Sequence, residues 1–156
     1  MGVRNEKFLL ETNGFCDIID ITLKVDDVIK QSAQRLKDKN TESGTKSGEE
    51  NIKNAVIHIF SPGSTVSITT IEYEPGLIKD IPEILEDLIP MKKAYHHDKT
   101  WHDGNGYAHL RASIIGNGIT VPYVNGELEL GTWQQIVLID FDNKPRTRSV
   151  IVQVVY

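Results

Sequence analysis

Cysteine is all but missing from this chain: Cys16 is the one thiol in 156 residues. Neither an internal disulfide nor a cysteine-ligated zinc knuckle can form, and Cys16 reads as a small strand residue. Long apolar runs are missing too, so no segment is expected to span a membrane. The opening MGVRNEKFLLETNG spreads its charges and holds no apolar stretch of signal length, so nothing marks the chain for export and the cytoplasm is the expected location. Basic charge is scarce: 17 basic residues stand against 22 acidic ones, a net charge of −5, which argues against a nucleic-acid-binding surface. There is also no phosphate loop, no dinucleotide glycine fingerprint and no nucleophile elbow, which removes the usual nucleotide-binding and serine-hydrolase readings.

What is present, 39% hydrophobic and 25% charged residues, fits one ordinary globular domain over residues 1–156. The order of patterns predicts an α+β chain. Val3–Glu11 and Phe15–Leu23 read as strands of a hairpin around Asn13-Gly14, and Asp26 or Asp27 can cap a helix carrying Val28, Ile29, Ala33 and Leu36. From Asp38 to Lys53 the only hydrophobic residue is Ile52, which predicts a mobile surface loop over about 38–53. Asn54–Ser61 and Thr65–Tyr73 read as partner strands across the Pro62-Gly63 turn. A helix follows from Leu77 to Ile89, with Pro82 placed for a first turn and Asp80 either capping it or aimed at a site.

The densest stretch runs from Trp101 to Asp142. Asp103-Gly104-Asn105-Gly106 is a turn-and-cap cluster, and Tyr107–Ile115 closing on Gly116 predicts a short helix. On it Tyr107, Leu110, Arg111 and Ile114 share one face, while Asn105, Ala108, His109 and Ala112 share another. GITVPYV, Asn125-Gly126 and ELEL predict a two-residue hairpin. Thr132–Asp142 is apolar on both faces at its middle, which places it inside a sandwich or at a subunit contact. Arg146–Val155 is the expected return strand, with Arg146 and Arg148 either gripping phosphate oxygens or paired with Asp140 and Asp142.

Histidine is the candidate chemistry. Four of the five histidines fall between residues 96 and 109, on a stretch beginning Ala94-Tyr95-His96-His97-Asp98, but their spacing matches no zinc-finger or HExxH pattern. His58 is expected to point to the interior, either as a satisfied core histidine or toward the other two. His58, His97 and His109, with Glu72 or Asp80, would then offer a nitrogen and oxygen ligand set for a divalent ion, or a general acid and base with no metal.

The segments HIFSPGSTVSITTIEYEPGLIKD (His58–Asp80), YHHD (Tyr95–Asp98), DGNGYAHLRASIIG (Asp103–Gly116) and VPYVNGELELGTWQQIVLIDFD together resemble the YjbQ-like family, also named the secondary thiamine-phosphate synthase family after a weak activity. The resemblance spans roughly Asn54 to Tyr156. It implies an α+β fold built on a two-sheet antiparallel β-sandwich with a few flanking helices, assembled as a homotrimer with polar pockets near subunit boundaries. By motif it implies His58, Glu72, Asp80, His97, Asn105, His109, Trp133, Gln134 and Arg146 as site residues. Ser61-Pro62 stands where members commonly carry Thr-Ala, and the 38–53 stretch is longer than usual. The reaction implied joins a pyrimidine pyrophosphate to a thiazole phosphate and releases pyrophosphate. For that chemistry Glu72 and Asp80 could hold a divalent ion (zinc or magnesium), Arg146 or Arg111 could hold phosphate, and Trp133 could shield the pyrimidine. The alternatives are a metal- or metabolite-binding homotrimer and a metal-assisted hydrolase with His58, His97 and His109 around an activated water. The expected partners are other copies of the chain and a small phosphorylated metabolite, with no nucleic acid and no membrane.

Overall fold

A computed structural model describes residues 1–42 and 52–156. In chain order the elements are β1 (Val3–Thr12), β2 (Asp17–Asp20), α1 (Thr22–Glu42), β3 (Ala55–Phe60), β4 (Val66–Ile71), α2 (Pro75–Leu88), α3 (His96–Trp101), α4 (Gly106–Ile115), β5 (Gly118–Val124), β6 (Glu127–Leu128), β7 (Gln135–Asp140) and β8 (Arg146–Val155). The strands form two antiparallel sheets: β1-β8-β3-β5-β6 with five and β2-β7-β4 with three. This is the α+β fold that the strand and helix patterns predicted, with the two-sheet sandwich that the family resemblance implied.

The turns do not do what the sequence led us to expect. Asn13-Gly14, Pro62-Gly63 and the 142–145 turn each carry hairpin-type residues, yet none joins two strands of one sheet. β1 pairs with β8, whereas β2 pairs with β7; β3 lies between β8 and β5, whereas β4 pairs with β7. Each of the three turns therefore passes the chain from one sheet to the other. Both faces of β7 are apolar and packed, while β2 and β4 pair with its two edges. Asn125-Gly126 behaves as predicted, with φ 53 and 92, the left-handed pair that a tight β5–β6 hairpin requires.

The core has two parts. Between the sheets, Ile57, Ile59, Val66, Ile68, Ile136, Leu138, Val150, Val152 and Val154 interlock, closed by Ile21, Val25 and Ile29 of the α1 region. That four-residue spacing is a helix stripe, and it explains why α1 starts at Thr22, whose N–H and hydroxyl both donate to Asp20 Oδ1 (2.8 and 2.6 Å), and not at Asp26 or Asp27. On the far side of the small sheet, Val137, Ile139 and Phe141 pack against Leu85, Ile89, Tyr107, Ala108 and Ala112 of the α2 and α4 regions. β7 is thus covered on both faces by its own chain, and its two-sided pattern does not call for a subunit contact.

Three further expectations are corrected. Residues 38–42 belong to α1 and not to a loop, 43–51 lie outside the described residues, and Ile52 is buried in the core. α2 begins at Pro75, capped by the Glu74 carboxylate, which accepts from the N–H of Gly76 at 2.7 Å and from that of Leu77. Pro82 therefore sits inside the helix, where it cannot donate to the Ile78 carbonyl, and Asp80 is an exposed helical residue and no cap. Cys16 is not a strand residue: it is buried in a turn at φ 68, next to Phe15 at φ 54, and burial pushes its thiol up to about 11, the opposite of what a nucleophile needs.

Candidate functional site

The His97 and His109 rings meet where α3 lies against α4. Their centroids are 4.3 Å apart and their planes tilted by 50°. α3 was not legible as a helix, because Tyr95 at its N-terminus makes no side-chain cap and none of its residues is buried. It is held in place by its neighbours. Asp98 Oδ1 accepts the Gly106 N–H at 2.9 Å, and a side chain at Gly106 would fall 2.7 Å from Tyr95 Cβ, so the missing Cβ is what allows α3 to come this close. Tyr95 Oη donates to the Pro90 carbonyl at 2.7 Å. From the other side Asn143 Nδ2 donates to the Asp103 carbonyl at 2.7 Å, which ties the turn before α4 to the turn between the sheets.

α4 runs as the sequence predicted, from Asn105 to a Gly116 cap, but its buried side is different. Tyr107, Ala108, Arg111 and Ala112 are buried, whereas Leu110 and Ile114 are exposed. His109 sits at the edge of that buried side. Burial holds it below its ordinary value of 6.5, the neighbouring His97 adds to the depression, and the carboxylates of Asp103, Asp142 and Asp98 work against it. His109 is consequently a neutral imidazole at pH 7, able to accept a proton.

The expected site residues fall into separate groups. His97, His109 and Asn105 are together. His58 is not with them: Ile57 and Ile59 take the core side of β3, so His58 faces outward from the five-stranded sheet, its Nδ1 3.0 Å from Thr120 Oγ1 and its ring stacked beside Phe60 at 6.3 Å. The interior placement is overturned, and within one chain both sheets separate His58 from His97 and His109. Gln134 lies near the His58 side of the molecule, its Nε2 donating to Thr70 Oγ1 at 3.3 Å, and with Thr120 and Glu129 it lines a cavity of about 210 Å³. Trp133 beside it is 69% exposed. Glu72 and Asp80 are exposed residues of the β4–α2 connection and of α2.

Three arginines are held by carboxylates of the protein. Arg111 is 1% exposed; its Nε and Nη2 donate to the Ile89 carbonyl at 3.1 and 2.7 Å, and Nη2 also donates to Glu86 at 2.7 Å. It borders a cavity of about 390 Å³ with Phe15, Pro82 and Met91, but these donors are committed to protein acceptors. Arg146 donates to Asp142 at 2.9 Å, and Arg148 makes a two-pronged pair with Asp140 at 2.6 and 2.7 Å. The reading of Arg146 and Arg148 as partners of these carboxylates holds. Desolvation of Asp142 is outweighed by Arg146 and Thr65, so its carboxyl lies below the ordinary range.

Among the described residues no group of three histidine, cysteine, aspartate or glutamate side chains is placed to hold a metal ion. Sequence reasoning also missed Asp98, Asp103 and Asp142 as the carboxylates acting on His109. Asp98 and Asp103 are near in sequence, but Asp142 comes from the far side of the fold and left no local signal.

An α+β sandwich with an imidazole pair where two helices meet beside the smaller sheet is the class that this geometry defines. The family model described as "UPF0047 protein YjbQ-like" matches residues 41–156, and the chain belongs to that family. A UPF0047 protein of Methanothermobacter thermautotrophicus is 34% identical over 154 residues, 99% of this chain and 93% of that one; one of Archaeoglobus fulgidus is 43% identical over 101 residues, 65% and 78% of the two chains. A crystal structure from Sulfolobus solfataricus, titled as a YbjQ-like protein of unknown function, superposes with a TM-score of 0.81 at 27% identity, covering 98% of this chain and 96% of that one. A YjbQ/UPF0047 family structure from Clostridium acetobutylicum gives 0.74 at 29%, covering 96% and 99%.

Proposed function

We propose that this protein performs acid–base chemistry on a small phosphorylated metabolite at the His97–His109 pair, and that the thiamine-phosphate-forming transfer suggested by the family resemblance is a slow reaction of that pair. The observation that carries this is the ring contact of a neutral, half-buried His109 with His97. Two imidazoles in contact cannot both be charged without repulsion, so one accepts a proton while the other donates.

The surroundings account for slowness. Fast departure of pyrophosphate needs uncompensated positive charge, yet Arg111, Arg146 and Arg148 are each engaged by a carboxylate. In this reading the pair can hydrogen-bond the leaving oxygen but cannot draw it away strongly.

The same proposal includes a homotrimer. Val3, Leu9, Val56 and Phe60 of the five-stranded sheet are exposed, and a neighbouring copy over that face would bring the His58 side of one protomer toward the helical site of the next. Light scattering tests the assembly; a monomer at micromolar concentration ends this part of the reading.

For the chemistry, both phosphorylated precursors are supplied with a divalent ion and product is followed by chromatography. His109→Ala is expected to lower the rate by roughly 10²- to 10⁴-fold, with an unchanged melt. A folded variant with parental activity rules out His109 as the base. Stoichiometric metal in protein purified without an affinity tag, with no product formed, replaces this reading with a metal-binding trimer or metal-assisted hydrolysis.

A further inference from the structure

We propose that Asn105 is a positioning residue that holds His97 as its Nδ1–H tautomer, so that His97 offers a hydrogen bond from Nδ1 while its Nε2 is committed as an acceptor. This rests on the acid–base reading of the pair and adds a division of labour to it.

The argument starts from what surrounds the Asn105 amide. One end of that amide lies 3.1 Å from both carboxylate oxygens of Asp103 and 3.2 Å from His97 Nε2. An amide oxygen there would face two carboxylate oxygens with no hydrogen between them. The nitrogen therefore occupies the position, and its two hydrogens serve Asp103 and His97. A hydrogen donated to Nε2 requires a lone pair on Nε2, and a neutral imidazole with Nε2 unprotonated carries its proton on Nδ1.

Asn105 is 6% exposed, and with both amide hydrogens used it has little left for a ligand, so as the site residue that the family resemblance implied it acts indirectly. Nor is it there to cap α4: it occupies the N-cap position but makes no side-chain cap hydrogen bond. Its amide instead spans the gap between a charged turn residue and a ring of the site.

The Asp103 carboxylate is 3.6 Å from Nε2, beyond a good hydrogen bond, and the Asn105 nitrogen stands closer to both partners. Besides Asp103, the ionisable groups acting on His109 of the pair are Asp98 on α3 and Asp142 after β7.

The test is the nitrogen NMR spectrum of the histidine-labelled full-length protein, which distinguishes protonated from unprotonated ring nitrogens. In the parent at neutral pH, His97 is expected to show Nε2 unprotonated and Nδ1 protonated. Asn105→Asp replaces the donor by an acceptor, and Nε2 should then carry a proton. Asn105→Ser removes the bridge while keeping a residue suited to the start of α4, and should leave a mixture of tautomers. Circular dichroism checks that both variants fold. A parent spectrum with Nε2 protonated, or Asn105→Asp with the parental His97 pattern, overturns the proposal. The spectrum is read without substrate, so absence of thiamine-phosphate formation counts against the acid–base reading alone, whereas a wrong tautomer in an active protein counts against Asn105 alone.

Discussion

Asp98 and Gly106 are joined side chain to backbone across 2.9 Å, and that one bond, with the missing Cβ at Gly106, sets how closely α3 approaches α4. His97 rides on the first helix and His109 on the second. Whatever the pair does depends on this approach.

Gly106→Ala should consequently separate the two rings. The new Cβ would sit 2.7 Å from Tyr95 Cβ and 3.0 Å from Asp98 Oδ1, and neither is the free end of a long side chain. Overpacking of this kind costs about 1–3 kcal/mol, so the melt should fall by several degrees, while activity should fall at least as far as in His97→Ala. A variant that melts lower but keeps full activity would show that the ring contact is dispensable.

The pH dependence of stability follows from His109. Its folded pKa is depressed below the unfolded 6.5, so between those two values the unfolded chain binds more protons than the folded one, and stability rises with pH. The contribution is complete above pH 6.5 and is lost as pH falls through the depressed folded value. Thermal melts across this window should show a steeper dependence in the parent than in His109→Ala. Equal slopes would mean that His109 is not held neutral by the fold. For the same reason, activity limited by His109 as a base should reach its half-maximum below pH 6.5.

Arg111 separates folding from chemistry. Arg111→Met removes the donors to the Ile89 carbonyl and leaves that acceptor buried without its partner, which costs about 1–3 kcal/mol, measurable by urea unfolding. Activity per folded molecule should stay within about twofold, because the guanidinium is 1% exposed and its donors are committed to Ile89 and Glu86. A loss of activity with no loss of stability would restore Arg111 as a phosphate ligand.

The buried pair of Arg148 and Asp140 should be more costly still. Asp140 is fully buried and also accepts from Thr12 at 2.5 Å, so Arg148→Met leaves an uncompensated interior charge, expected to destabilise by about 3–5 kcal/mol. The double variant Arg148→Met with Asp140→Leu should recover most of that loss. If it does not, the pair is doing more than satisfying its own charges.

Much of this was visible in the residues. The Asn105–Gly116 boundaries of α4, the Asn125-Gly126 hairpin and the two-sided burial of β7 follow from caps, left-handed turn residues and apolar alternation, which are local properties. Sheet membership was not visible, because Asn13-Gly14 and Pro62-Gly63 say only that the chain reverses, and reversal into a partner strand uses the same residues as reversal into the opposite sheet. His58 was misplaced for a related reason: Val56, His58 and Phe60 make its face of β3 look apolar enough for a core, and only the pairing of β3 between β8 and β5 shows that this is the outer side. Arg111 carried the charge of a ligand-binding residue, while its burial depended on the distant Ile89 carbonyl.

The pairing of β1 with β8 couples residues 3–12 to residues 146–155 along the whole of both strands. During synthesis on the ribosome, the N-terminal strand therefore emerges early and must wait, with Val3 and Leu9 among its exposed side chains, until its partner has left the exit tunnel. Contacts this distant in sequence slow folding, and the waiting strand is an open edge of the kind that recruits other chains. It carries charged residues, Arg4, Glu6 and Lys7 among them, and charge on an unpaired edge is a recognised guard against pairing with the wrong neighbour.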